Sequence, residues 1–286
     1  MKTTALEMLS EPLSLLVLLA ALTLTTLAPA FHYHQFGEAT RMARDAGFSA
    51  LFTCGLVVSV FGIIRSLRRE IETGTIQMAL SHPISRTGFF LAKTVGGGIA
   101  VLLFSVVVTA TSLTIVNGAA IGGALAQHCG DIPKIWGPSL AIGVGTMVMP
   151  LLLGAVLNRF ARCRFVLTAF SFAFVISVAG VFYRPDFALM GRILPVAVLI
   201  LLTFPVFLAA AAAAATRFRA NGAAATAGVL FVLVLPVVGN YYLSDALARG
   251  GTLPWRYVCL AAGVTAPAVA AFLLWGIHLI NGRDVA

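Results

Sequence analysis

The chain has 286 residues, 60% of them hydrophobic and 10% charged, and its mean hydropathy is +1.00. Soluble globular domains carry roughly 25% charged residues, so this composition excludes a soluble protein and indicates an integral membrane protein. The net charge of +9 is interpreted as a topology signal and as attraction to anionic lipid headgroups. No basic and aromatic patch accompanies it, so we expect no nucleic-acid partner.

Eight apolar runs approach the roughly 20 residues that cross the hydrocarbon core of a bilayer. They lie near 13–31, 47–64, 93–117, 138–158, 165–183, 193–215, 223–242 and 257–280. The sequence therefore predicts an all-α fold: one transmembrane domain over 1–286, built as a polytopic bundle of about eight spans. Six spans plus a hairpin is the alternative.

The first apolar run has two features of a cleavable signal peptide. Lys2 gives it a weakly positive start, and Ala28-Pro29-Ala30 imitates a cleavage site. Against cleavage, Glu7 and Glu11 lie in the leading segment and the apolar run is long. We therefore expect an uncleaved first span.

The arginines and lysines predict the topology. With the amino terminus inside, twelve of the 19 basic residues fall on the inner side. These twelve are Lys2, Arg65, Arg68, Arg69, Arg86, Lys93, Arg159, Arg162, Arg164, Arg217, Arg219 and Arg283. Because cytoplasmic loops carry the excess of positive charge, both termini should be cytoplasmic, and so should residues 65–93.

Residues 65–93, between the second and third spans, hold the densest charge in the chain. Thr75 suits the N-cap of a short helix through Leu80, and Pro83 should end that helix near Ser81. Ser85 can cap a second helix that leads into the third span. Two short capped helices between two spans suggest a rigid element that carries force.

This stretch resembles the signature of the ABC type-2 transporter permeases. The matching residues are Glu70, Glu72, Gly74, Thr75, Leu80, Ser81, Pro83, Ile84, Ser85, Arg86 and Lys93. The family usually has Val where Ile84 stands and Gly where Ala92 precedes Lys93. An ordinary charged cytoplasmic loop is the alternative explanation, but charge alone does not account for Gly-Thr and Ser-x-Pro-Ile-Ser-Arg at this spacing.

The resemblance implies a permease subunit of an ABC transporter that exports its substrate. Residues 65–93 would form the coupling segment, which docks on a separate ATPase. Glu70, Glu72, Gly74 and Thr75 would form the contact edge, while Pro83, Ser85 and Arg86 set the angle of the connecting helix. The alternative for these charges is local pairing, because Glu72 lies four residues after Arg68 and could form a helical salt bridge with it. The family works as a permease dimer, of two copies or with a homologue, with two ATPase subunits that bind ATP and Mg. A multi-pass protein of the bacterial inner membrane is then expected.

The residues themselves give no sign of catalysis. Gly88 to Thr94 lacks the second glycine of a Walker A loop, so ATP must bind another chain. No Ser-His-Asp or paired-carboxylate arrangement is evident, and we expect no cofactor on this chain. Every acidic residue lies outside the predicted spans, which weakens the rival hypothesis of an ion-coupled carrier or channel. A non-transporting membrane assembly factor is a second rival.

Two weaker features remain open. His32 and His34 alternate at the outer end of the first span and are weak candidates for a copper or zinc site, or simply polar residues at the interface. Hydroxyl side chains in the first two spans, such as Thr23, Thr26 and Ser59, could line a transport path or bond to their own helix.

Overall fold

The structure is a computed structural model that describes residues 2–27, 39–72, 85–129, 132–183, 187–218, 222, 228 and 253–282. The described residues form helices and contain no strand. The helices are α1 (Lys2–Ser10), α2 (Pro12–Leu27), α3 (Ala39–Glu72), α4 (Arg86–Cys129), α5 (Ile132–Ala161), α6 (Phe165–Tyr183), α7 (Phe187–Arg217) and α8 (Trp255–Asn281).

In the described part of the chain, six helices are long and apolar enough to cross a bilayer, and α1 with α2 is a seventh candidate. These seven coincide with seven of the eight predicted runs, which confirms the all-α transmembrane prediction. The eighth predicted run, 223–242, lies outside the described residues except for 228.

The helices extend further than the apolar runs predicted. α3 begins at Ala39 and ends at Glu72, although the predicted span covers 47–64. Residues 118–137, interpreted as an outer loop, are helical except at 130 and 131, which the structure does not describe. Hydropathy marks only the part of a helix that lies in lipid, whereas the helix itself continues wherever its flanks tolerate helical geometry. The flanks of α3, with several Ala, Arg and Glu residues, have high helix propensity.

Pro12 separates α1 from α2. A proline has no N–H and its ring clashes with the preceding turn, so the helix bends by 64° at this break. The Ser14 hydroxyl donates to the carbonyl oxygens of Glu11 (2.7 Å) and Leu9 (3.1 Å), and the Ser14 amide also donates to the Glu11 carbonyl oxygen at 3.1 Å. The first span is therefore a broken helix, and the Ser14 side chain forms hydrogen bonds across the break.

The chain divides into two compact units, with α3, α4 and α7 each contributing to both. Unit 1 comprises Met1–Met8, Leu56–Val101 and Val198–Ala286; unit 2 comprises Leu9–Gly55 and Leu102–Ala197.

Small residues pack tightly in unit 1. The alanine run from Ala209 to Ala215 is almost completely buried. At Gly97 of α4, an added Cβ would lie 3.3 Å from Met8 of α1, Ile63 of α3 and Leu208 of α7. Small side chains let transmembrane helices approach closely, and Gly97 lies at such a contact.

The substitution Gly97→Val should cost about 1–2 kcal/mol of unfolding free energy, because three neighbours must move to accept the new side chain. Gly98→Val is the matched control, since an added Cβ there meets nothing within 4 Å. The change in helix propensity is the same in both variants, because each replaces a glycine of α4 by valine. Unfolding in mixed detergent micelles measures the difference, and equal stability of the two variants would contradict this packing.

Unit 2 contains a helical hairpin of α5 and α6 packed on α2. At Gly154 of α5 an added Cβ would lie 3.1 Å from Cβ and 3.2 Å from the amide nitrogen of Ala169 on α6, so the two backbones nearly touch. The turn between them holds Arg162 at a φ of 52°, which closes the hairpin in three residues.

Hydroxyl groups in the spans are satisfied locally. Thr23, Thr25, Thr26 and Ser59 donate to carbonyl oxygens of their own helices at 2.7–3.0 Å. Of the two interpretations of these side chains, bonding to the own helix is the one that the structure supports. A bond between helices joins Thr111 Oγ1 of α4 to Ser177 Oγ of α6 at 2.9 Å.

Candidate functional site

The candidate coupling segment, 65–93, includes the last residues of α3 and the first residues of α4. Of its predicted contact and connecting residues, Glu70, Glu72, Ser85, Arg86 and Lys93 are described. Gly74, Thr75, Leu80, Ser81 and Pro83 lie outside the described residues, and so does the predicted short helix from Thr75 to Leu80. The structure therefore shows both ends of the candidate coupling segment, 65–93, and how they are held, while its central residues, 73–84, lie outside the described part of the chain.

Ser85 is the N-cap of α4, as the sequence predicts. Its side-chain oxygen accepts the amide N–H of Gly88 at 3.1 Å, and its carbonyl oxygen accepts that of Phe89 at 3.0 Å. A capping side chain satisfies amides that the first helical turn leaves without partners. Arg86 is then the first residue of α4, so the cap sets the point at which the segment becomes a rigid helix.

Lys93 lies in the second turn from this cap and is the centre of a polar cluster in unit 1. Its ammonium group donates to Glu70 Oε1 (2.6 Å), Glu7 Oε2 (2.9 Å) and Ser66 Oγ (3.0 Å). The lysine side chain is 7% exposed, against 21% for Glu70 and 29% for Glu7. A buried ammonium is costly unless it is paired and hydrogen-bonded, and here all three of its donors have acceptors.

The cluster joins three helices. Glu7 comes from α1, Ser66 and Glu70 from the last two turns of α3, and Lys93 from α4. Because Glu70 precedes residues 73–84 and Lys93 follows them, their ion pair ties the two ends of the candidate coupling segment together.

The two carboxylates of this cluster are held differently. Two carboxylates face one ammonium, and the second oxygen of Glu70, Oε2, is buried without a hydrogen-bond partner among the described residues. Glu7 is bound more fully, since its Oε2 also lies 3.4 Å from Ser66 Oγ. The cluster therefore holds Glu70 by a single oxygen atom.

Glu72 has different surroundings. It is the last residue of α3, its side chain is 64% exposed, and its Oε1 lies 3.2 Å from Arg68 Nη2 one turn earlier. This is the (i, i+4) pair that the sequence predicts. Exposed pairs of this kind contribute little stability, so Glu72 is free to change partners.

Glu7 and Ser66 are members of this site that sequence reasoning missed. Glu7 was interpreted only as a residue that disfavours a cleaved signal peptide. The sequence did indicate that Lys93 needs an acidic partner, because Lys93 stands alone at the start of an apolar run and a buried lysine requires a counter-ion. Several acidic residues could have been this counter-ion, and only the packing of α1 on α4 shows that it is Glu7.

The weak metal candidates of the sequence stay a prediction. Among the described residues, no group of three His, Cys, Asp or Glu side chains could hold a metal ion. His32 and His34 lie outside the described residues. Met147 contacts the hydroxyl oxygens of Thr26 (3.6 Å) and Thr23 (3.9 Å), which gives it a packing role between α2 and α5.

Comparison with known protein families matches residues 6–180 to the ABC-2 family transporter protein. The matched region covers more than half of the 286 residues and includes the ion-paired cluster and both ends of the candidate coupling segment. Comparison with curated proteins found no match, and neither did comparison with solved structures. Membrane subunits of this family are generally not catalytic and associate with an ABC ATPase. The chain therefore belongs to the ABC-2 family of transporter proteins and is a multi-pass permease of an ABC transporter.

Proposed function

We propose that this permease couples to its ATPase through residues 73–84 and the exposed end of α3, and that it exports its substrate as half of a permease dimer. ATP and Mg are bound by two ATPase subunits, and the assembly sits in a bacterial inner membrane. Closure of the ATPases pushes the coupling segment, and α3 and α4 tilt together to open the path outward.

One observation carries this proposal. The long apolar helix α3 ends before residues 73–84, and the long apolar helix α4 begins after them. An ion pair between Glu70 and the buried Lys93 links the end of α3 to the start of α4. A force applied to residues 73–84 therefore reaches both helices at once. Export and the dimer rest on the resemblance of these residues to the family signature.

Two residues of the predicted contact edge, Glu70 and Glu72, have different surroundings. Glu72 is exposed and only loosely paired, which suits contact with another protein. Glu70 is bound to Lys93 inside the chain, which suits it to holding the segment in place. We therefore assign ATPase contact to Glu72 and support of the coupling segment to Glu70.

Glu72→Lys should abolish most ATPase association, because it reverses a charge at the proposed contact and also places a lysine beside Arg68. The test is an affinity pull-down of the tagged permease in mild detergent with quantification of the accompanying ATPase. We expect at least about a tenfold loss relative to the unmodified chain, equivalent to roughly 1.4 kcal/mol of binding free energy.

Asp45→Lys is the matched control. Asp45 lies in the same helix, is 52% exposed and pairs with Arg44 at 3.1 Å, but it is near the other end of α3, about 40 Å along the helix axis. ATPase recovery with Asp45→Lys should equal that of the unmodified chain. Normal recovery with Glu72→Lys, or equal loss with both variants, would contradict the assigned contact. Flux that persists without ATP would instead favour an ion-coupled carrier or channel.

A further inference from the structure

The turn between α5 and α6 exposes three arginines close together. α5 ends at Ala161 and α6 begins at Phe165, and the arginine turn, residues 159–164, carries Arg159, Arg162 and Arg164. All three arginines are exposed. Arg162 and Arg164 are two residues apart, so their Cα atoms lie within about 7.6 Å of each other. The arginine turn therefore concentrates positive charge on one small surface.

The three arginine side chains have no ion pair or hydrogen bond among the residues that the structure describes. α5 and α6, and α2 that packs on both, contain no Asp or Glu, and the sequence has none between Asp131 and Asp186. By contrast, Arg68 and Lys93 of the candidate coupling segment pair with carboxylates. Any anion that binds at the arginine turn therefore comes from outside these three helices.

The surface that leads to the arginine turn is apolar. In α5 and α6 only 17% and 22% of the most apolar stretch is buried, against 67% in α4. Leu152, Val156 and Phe160 follow one another at intervals of four residues, so they form an exposed stripe on one face of α5. Phe160, which is 83% exposed, stands beside Arg159. This stripe suits contact with lipid acyl chains, and it places the arginines where the hydrocarbon gives way to headgroups.

We propose that the arginine turn binds the phosphate groups of anionic phospholipids in the cytoplasmic leaflet. With the predicted topology, α5 runs from the outer to the inner side, so the turn lies on the face of the bilayer that carries anionic lipid. Guanidinium groups donate paired hydrogen bonds to phosphate oxygens, while the acyl chains of the same lipids cover the stripe from Leu152 to Phe160. Binding there holds the α5–α6 hairpin at a fixed depth in the membrane, and it does not depend on the role of residues 65–93.

The experiment measures binding of phosphatidylglycerol and of phosphatidylcholine to the purified full-length permease, by native mass spectrometry in an uncharged detergent. The unmodified permease should bind phosphatidylglycerol at least about tenfold more tightly than phosphatidylcholine, which has no net charge. The test variant carries Arg159→Gln, Arg162→Gln and Arg164→Gln together. Its affinity for phosphatidylglycerol should fall at least about tenfold, because each basic residue near the headgroups adds to the attraction. Its affinity for phosphatidylcholine should stay unchanged.

A second triple variant, Arg192→Gln with Arg217→Gln and Arg256→Gln, is the matched control. It removes the same net charge from three exposed arginines, which stand apart from one another near the start of α7, at its end and near the start of α8. Its affinity for phosphatidylglycerol should equal that of the unmodified permease.

Equal loss of phosphatidylglycerol binding in the two triple variants would overturn the proposal, because net charge alone would then govern the affinity. Equal affinity of the unmodified permease for the two lipids would also overturn it, and this result needs no variant. Displacement of phosphatidylglycerol by an equal concentration of inorganic phosphate would show a site for the free ion instead of the lipid. Unchanged lipid binding with loss of the ATPase or of a second permease copy would assign the arginine turn to a protein contact.

Discussion

Lys93→Met should lower the free energy of unfolding by about 3–5 kcal/mol, the cost of breaking a buried ion pair by removing one partner. The substitution fits the volume of the lysine stem but leaves Glu7 and Glu70 facing each other with no cation between them. It also removes the donor that satisfies Ser66 Oγ. Because the two carboxylates are 29% and 21% exposed, partial access to water should keep the loss near the lower value.

The measurement is unfolding of the purified permease in mixed detergent micelles. A triple variant, Lys93→Met with Glu7→Gln and Glu70→Gln, is the matched control, because it removes all three charges and keeps the side-chain shapes. It should recover most of the loss, since a neutral cluster no longer contains an uncompensated charge. A loss below about 1 kcal/mol for Lys93→Met alone would show that the ammonium is not buried against two anions.

Gly276→Leu should produce the second large effect, about 3 kcal/mol, at the contact between α8 and the first turns of α4 in unit 1. An added Cβ at Gly276 would press on the ring of Phe90, lying 2.9 Å from Cε1 and 3.1 Å from Cε2. Phe90 is fully buried, so its ring has no free space into which it could turn. The larger side chain must therefore displace α4 close to Ser85 and the coupling segment.

Gly263→Leu is the control for this substitution. Gly263 lies in the same helix, is exposed, and an added Cβ there meets nothing within 4 Å. Unfolding of the two variants under the same conditions should differ by most of the predicted 3 kcal/mol, with Gly263→Leu close to the unmodified chain. Similar stability of both variants would mean that α8 does not pack on Phe90 as the structure shows. We also expect Gly276→Leu to weaken ATPase association, because the displaced end of α4 carries Arg86.

The sequence predicted the fold class and the place of the candidate site because both depend on local patterns. Long apolar runs identify spans, since backbone groups in lipid must be satisfied within the helix. The N-cap at Ser85 and the Arg68–Glu72 pair were also predicted, because each joins residues within one turn of a helix. The ends of α3, α4 and α5 were not predicted, because a helix continues beyond the apolar core wherever its flanks tolerate helical geometry.

Tertiary packing decided which charges act together. Lys93 and Glu7 are 86 residues apart, and no periodicity links them. The same packing distinguishes Glu70 from Glu72, which are two residues apart and looked equivalent in the motif. It leaves the side chain of Glu70 21% exposed and that of Glu72 64% exposed. By itself the sequence determined that this is a membrane protein of several spans with a charged segment between its second and third spans, because lipid and the backbone impose those patterns locally. The likeness to ABC-2 permeases came from the motif residues in that segment. Only the tertiary structure decided that α1 supplies the counter-ion of Lys93, because a buried charge takes its partner from whichever helix is packed against it.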